Sequence, residues 1–382
     1  MRHATGESKR ALLLTDVTAP GGVDTYVCDL YRAATAAGWR VDVVIAEHPG
    51  SDALAAMLQQ IDAPVTRAPL YHRVHDEAVR ATAVEAALDR ADPAVMHAVC
   101  GAPWTTVVPR EVAVKRGVGL VFTEQYVAPG FTFEPSLHER IKTLYRRARA
   151  VIAVSRENAR LLTASYGLDA GRMVVIPNPA RIGPPPRWTS EQSETVRRRF
   201  ALPAARFQAA TVARCAVQKG LDVFIDAIAL LPDEVRRQFH FTIFGDGPDR
   251  DALAAQAREQ SVDGSITFAG WVDDAAALLP AFDLFVLPSR SEGMPFALIE
   301  ALARALPVIA TAVSGIPEAL DDGRGGELVA SESPAALADA LSAFAADPQP
   351  LREKAKHGHA HVRAQHDADA NLRRTVALWE ES

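Results

Sequence analysis

DLFVLPSRSEGMPFALIEALARALPVIAT, residues 283–311, holds two short β-rich runs, DLFVLP from Asp283 and PVIATA from Pro307, on either side of a helical pattern at 296–305. A strand, a helix and a second strand in succession make a βα unit, whose strands lie parallel in one sheet. The same rhythm runs outward in both directions. Upstream in this half come AATVAR from Ala209, HFTIFG from His240 and SITFAG from Ser265, with helical patterns at 221–231 and 250–260, and downstream one at 335–344. The first half repeats the plan with ALLLTDV from Ala11, VDVVIA from Val41, AVMHAV from Ala94, GLVFTE from Gly119, AVIAVS from Ala150 and MVVIP from Met173. Helical patterns at 24–37, 76–90, 135–147 and 156–166 fill its gaps.

Between the halves, NPARIGPPPRWTSEQSE (178–194) breaks the rhythm, because its prolines oppose both helix and central strand. At 382 residues the chain also exceeds what one core ordinarily holds. The expectation is an α/β protein of two Rossmann-like, doubly wound domains facing a cleft. The N-terminal domain takes in 1–185 and the C-terminal one 186–364. A last helical pattern at 367–381 places Leu372, Val376 and Trp379 near one face, and 365–382 is expected to cross back and complete the first domain.

Composition narrows the function. With 48% hydrophobic and 23% charged residues the chain is an ordinary globular protein, not a disordered one. A net charge of -6 argues against nucleic acid or anionic lipid as a partner of the whole molecule. Cys28, Cys100 and Cys215 lack metal-ligand spacing, which fits a reducing compartment. The N-terminal apolar run is only ALLL before Thr15 and Asp16, too short for a signal peptide, and no stretch approaches ~20 apolar residues. A cytoplasmic protein is expected, with transient contact at the inner membrane face if its acceptor is lipid-linked.

The chemistry sits in four loops, where open α/β sheets bind ligands beyond their strand C-termini. In TAPGGVDTY, Gly21 and Gly22 precede a helix whose free N–H groups suit a phosphate or sugar, though the pair lacks the GxGxxG spacing and serves equally as a turn. In FGDGPDRDAL, Gly245 and Gly247 make either the lip of a nucleotide site or a plain strand-to-helix turn. ARCAVQKGLDVF is sharper. Arg214 and Lys219 stand at a strand end and a helix start, where cations oppose the helix dipole unless an anion lies between them; two solvated surface charges are the other reading. In the fourth loop Glu292 and Glu300 are eight positions apart, around a helix opening of Gly293, Met294, Pro295 and Phe296 whose backbone N–H groups face phosphate. Glu300 also fits a surface helix position.

Taken together these residues make the chain resemble the retaining family 4 glycosyltransferases of GT-B architecture, over nearly its whole length. Glu292 and Glu300 match the family's E-x7-E motif within SEGMPFALIEALARALPVIAT. Arg214 and Lys219 match its arginine and its K-G lysine, GGVDTY its N-terminal glycine loop, and AVSRENARLL with VIPNP the end of its N-terminal domain. The resemblance implies hexosyl or N-acetylhexosaminyl transfer, with retention, from a UDP- or GDP-sugar to a saccharide, lipid-linked saccharide or small glycoside. It implies no cofactor and no metal. Arg214 and Lys219 would clamp the diphosphate, Glu292 touch the donor sugar, Glu300 the ribose, and the backbone around Val272 the base. Asp273 and Asp274 are read as helix N-caps. Many relatives carry a histidine in the segment equivalent to FTEQYV; here Gln125 stands beside Glu124 on the acceptor side. His97 is then the candidate substitute facing the cleft, or else a satisfied histidine at a strand end. A nucleotide-sugar epimerase and a catalytically inactive nucleotide-sugar-binding protein are the alternatives.

Overall fold

The computed structural model describes residues 9–128, 130, 134–168, 170–183, 188–203 and 206–380. Two compact units emerge: Met1–Pro179 with Ala368–Ser382, and Ala180–Asp367. The division falls at 179/180 and not at 185/186. Ala180 forms a parallel bridge with Asp367, its N–H donating to His366 O at 2.8 Å, so both chain crossings are set at the edge of the second unit. Residues 184–187 of the proline-rich connection lie outside the described residues, as do 129 and 131–133.

The first unit carries a seven-stranded sheet of β1 (Arg10–Thr15), β2 (Arg40–Ala46), β3 (Val65–Ala68), β4 (Val95–Cys100), β5 (Gly119–Glu124), β6 (Ala150–Ala153) and β7 (Met173–Val175). Its order is 3-2-1-4-5-6-7, every pair parallel. Strands such as β4, buried at every position, must be covered on both faces, which helices on each side provide. The second unit holds β8 (Phe207–Val212), β9 (Phe239–Phe244), β10 (Ile266–Gly270), β11 (Leu284–Leu287), β12 (Val308–Thr311) and β13 (Glu327–Val329) in the order 10-9-8-11-12-13, again all parallel. Phe224, Phe239, Phe241 and Phe344 fill the core under one face of this sheet.

Two helices of the second unit differ from the sequence reading. Residues 190–199 are the helix Ser190–Arg199, started by Thr189 and Gln192, each accepting from the other's backbone N–H, so the proline-rich connection ends before it. The helix Gln349–Gln365 also escaped the pattern, since polar residues and Gly358 interrupt its apolar face.

The C-terminal segment completes the first unit. Helix Ala368–Ala377 puts Leu372 and Val376 into the core and Trp379 beyond it is 1% exposed. The Trp379 ring meets Trp39 edge-on at 5.3 Å, and Arg149 donates to Trp379 O at 2.6 Å. Asn371 and Arg374 donate to Pro177 O and Val175 O. Cys28, Cys100 and Cys215 are free thiols and buried. Among the described residues no helix is long and apolar enough to cross a membrane.

Candidate functional site

In the second unit the chain winds outward from β8 through β9 to β10, and in the other direction from β11 through β12 to β13. The switch of direction between β8 and β11 opens the sheet's C-terminal edge there, the place where such sheets take ligands. The loops after these two adjacent strands carry Arg214 and Lys219 on one side and Glu292 on the other. Lys219 ends a short 3₁₀ turn, Val217–Lys219, and its Nζ lies 2.7 and 2.9 Å from the two carboxylate oxygens of Glu292. Glu292 is buried; Ser289 Oγ donates to its Oε1 at 2.7 Å and its own N–H donates to Ser314 Oγ at 3.0 Å. Arg214 is exposed, and among the described residues its side chain makes no hydrogen bond or ion pair.

Helix Phe296–Ala303 follows, with Pro295 at its N-cap and no side chain capping its free N–H groups. Gly293 and Met294, both buried, lead into it, and the Gly293 carbonyl accepts from Gly315 N–H at 3.1 Å. The carboxylate of Glu300, on the first turns of that helix, has no partner among the described residues. Burial pushes it up to about 7, opposed by Arg304 and reinforced by the Asp274 charge. Val272 lies in the loop between β10 and the short helix Ala275–Leu278, which Asp274 caps by accepting from Ala277 N–H at 3.2 Å. Asp273 instead accepts from Trp271 Nε1 at 2.9 Å.

Gly220 welds the two loops. It sits in the left-handed region at φ 61°, and a Cβ there would stand 2.1 Å from Pro288 O. Gly220→Ala is therefore expected to lower stability by at least about 1–2 kcal/mol from backbone strain alone. An unshifted thermal melt would mean the loops are not in contact. Gly245 and Gly247 serve the same kind of packing: a Cβ on either would stand 2.0 or 2.3 Å from the carbonyls of Ala213 and Cys215. Their first role is thus to let the Arg214 loop lie against theirs.

The first unit revises the remaining expectations. Gly21 does begin helix Gly22–Ala36, but its N–H already donates to Asp24 Oδ2 at 3.1 Å. Burial raises the Asp24 carboxyl to about 6, the Gly21 N–H opposing it. Asp24 thus takes the Gly21 N–H, one of the groups expected to meet a phosphate or sugar, as in an ordinary capped turn. Glu124 is fully buried: Arg110, buried beside it, donates from Nη1 to Oε1 at 3.3 Å, and Tyr145 OH donates at 3.0 Å. Burial holds its carboxyl near 7. A buried guanidinium needs a counter-charge, and that need places Glu124 inward. Gln125 is also buried, its N–H on Cys100 O at 3.0 Å.

His97 does not face solvent. It is 0% exposed in the middle of the first sheet, Trp379 Nε1 donates to its Nδ1 at 2.9 Å, and its Nε2 lies 2.9 Å from Thr123 Oγ1. Thr123 in turn is 3.1 Å from Tyr26 OH. With Nδ1 accepting, the ring proton is on Nε2, and burial pushes the imidazole down to about 3. His97 is a neutral core residue with both nitrogens engaged, which removes it from the acceptor side. Among the described residues no group of three His, Cys, Asp or Glu side chains is placed to hold a metal ion.

Residues 21–179 match the family model of the glycosyl transferase 4-like domain, and residues 206–347 that of glycosyl transferases group 1, so the two matches take in both units. The chain is 32% identical over 149 residues to the lipopolysaccharide core biosynthesis glycosyltransferase LpsE of Rhizobium meliloti, covering 39% of this chain and 42% of that one. It is 31% identical over 252 residues to a D-inositol 3-phosphate glycosyltransferase of Nocardia farcinica, covering 63% and 55%. The chain thus spans about half the length, or less, of these curated relatives. The structure of Anabaena HepE in complex with UDP and glucose superposes with a TM-score of 0.82 at 21% identity, over 96% of this chain and 98% of that one. The chain belongs to the family 4, group 1 glycosyltransferases and has their GT-B fold of two Rossmann-like units.

Proposed function

We propose that the protein transfers a hexosyl or N-acetylhexosaminyl group, with retention, from a UDP- or GDP-sugar to a saccharide, lipid-linked saccharide or small glycoside in glycoconjugate biosynthesis. One observation carries this reading: Arg214, unpartnered among the described residues, and the Lys219–Glu292 pair occupy adjacent loops at the switch point of the second sheet. The diphosphate lies against Arg214, Lys219 and the uncapped N–H groups at Phe296. Glu292 faces the donor sugar, Glu300 the ribose and the Val272 backbone the base. As the bond to the anomeric carbon breaks, charge gathers on the leaving phosphate, and these donors stabilise it more than they stabilise the ground state. The acceptor hydroxyl attacks from the same face, its proton passing to the departing phosphate. The family matches and the names of the relatives support transfer to a glycoconjugate.

The test is calorimetric titration with UDP and with GDP, then incubation of UDP- and GDP-hexoses with an acceptor array and analysis of the products by NMR. One nucleotide should bind, and the product should keep the donor's anomeric configuration. Rapid isomerisation of the donor, or binding without transfer to any acceptor class, would overturn the reading.

The raised Glu300 carboxyl gives a further check. Its folded value of about 7 lies above the ordinary 4.5, so between these the folded chain holds the proton more tightly than the unfolded one. The stability it contributes is present below 4.5 and lost as pH rises through 7. Glu300→Gln should therefore melt higher than wild type at pH 8, match it near pH 4, and bind nucleotide more weakly at pH 8. A melting difference that does not change with pH would count against an unpartnered Glu300.

A further inference from the structure

Resting on the donor-site reading above, we infer that Arg290 is the positioning residue of that site. It comes from the same loop as Glu292 but is held by other partners, and no donor contact is asked of it. Its guanidinium grips Asp222 with both arms, Nη1 to Oδ1 and Nη2 to Oδ2 at 2.7 Å each. Nη1 also donates to Val217 O at 2.6 Å, the first carbonyl of the turn that delivers Lys219. Glu332 closes the far side through Nε and through Nη2, the latter at 3.2 Å. The backbones are tied as well: Arg290 N–H donates to Gln218 O at 2.8 Å, and Gln218 Nε2 to Ser291 O at 2.8 Å.

The consequence is geometric and electrostatic together. The turn 217–219 and the loop 289–292 approach from different strands, and these bonds with the Gly220 contact tie the Lys219 turn to the Glu292 loop. A planar guanidinium satisfies Asp222, Glu332 and a carbonyl at once, which a lysine ammonium cannot do in the same plane. Arg290 also neutralises Asp222 in the first turn of helix Leu221–Leu230, next to the cations that would meet a diphosphate. With its side chain 22% exposed, the arginine is shielded enough for these bonds to persist.

Arg290→Lys tests this, since it keeps the charge and loses the fork. The first arm needs no nucleotide: acetic anhydride labels the free protein, and mass spectrometry follows acetylation at Lys219. Loosening of the Lys219–Glu292 pair should raise that rate about 5-fold, with the melting temperature within a few degrees of wild type. The second arm is kinetic: donor kcat/KM should fall about 10-fold, carried mainly by kcat, but less than about 2-fold when the same change is made in Lys219→Ala, because the effect runs through Lys219. An unchanged Lys219 acetylation rate, or equal fractional losses in both backgrounds, would overturn the inference. Failure of the wild type to bind UDP or GDP would overturn the donor reading instead, and the acetylation arm would then decide on Arg290 by itself.

Discussion

Arg214→Ala is expected to lower kcat about 10²–10³-fold, the cost of removing one donor aimed at developing charge, while the melting temperature stays where it was. The second half of that result follows from the free protein, in which Arg214 is exposed and, among the described residues, holds nothing. A surface side chain without partners contributes within about 0.5 kcal/mol to stability. Lys219→Ala should show a comparable kinetic loss with a different thermal signature. Its removal leaves the buried Glu292 carboxylate with Ser289 Oγ as its remaining side-chain donor among the described residues, and a buried charge stripped of its partner destabilises. Lys219→Ala with Glu292→Gln should recover the melting temperature and not the activity. Affinity for the nucleotide product should fall less than kcat, because the cations act most strongly where phosphate charge develops. Steady-state kinetics beside thermal melts read both quantities. A loss of kcat/KM under about tenfold for Arg214→Ala would sink its assignment to the leaving group.

The difference between these two cations was not legible in ARCAVQKGLDVF. Residue type and position at a strand end gave both, and the eight-residue spacing of Glu292 and Glu300 brought the opposing carboxylates into view. The partner of Lys219 lies 73 positions away, however, and only the side-by-side placement of β8 and β11 makes the pair. Arg290 is silent in the sequence for the same reason, since Asp222 and Glu332 are 68 and 42 positions from it. The strand and helix rhythm was legible because it is local: eleven of the runs read from the sequence fall on strands. The two missed, β3 (VTRA) and β13 (ELV), stand at the ends of their sheets and hold no run of three apolar residues, so no β-rich pattern declares itself there. Glu124 misled through its place at the end of β5, where a ligand contact is the natural reading. Only the burial of Arg110 from another element explains why it turns inward.

Of the two readings of His97, the satisfied histidine on a strand is the one the structure shows, and His97→Ala is expected to give the largest stability loss. The residue that fixes its role, Trp379, is 282 positions away and reaches it only because the last helix packs back onto the first unit. Truncation would leave Trp379 Nε1 and Thr123 Oγ1 buried short of a partner and open a cavity beneath the Trp39–Trp379 contact. Together these should cost about 3–4 kcal/mol, which lowers the melting temperature of this unit by about 6–16 °C. Nucleotide affinity, assigned to the other unit, should not change. The pH dependence supplies a signature that a cavity alone does not. The folded imidazole is depressed to about 3 against the ordinary 6.5, so the unfolded chain binds the extra proton first as pH falls. The stability due to a neutral His97 is fully present above 6.5 and is lost steadily as pH drops toward 3. Wild type and His97→Ala should therefore differ most near pH 7.5 and converge on acidification, while Trp379→Phe, which removes the donor and keeps the imidazole, should retain the wild-type slope. A constant gap across that range would show that the imidazole titrates normally and that the Trp379–His97–Thr123 chain does not hold the C-terminal helix.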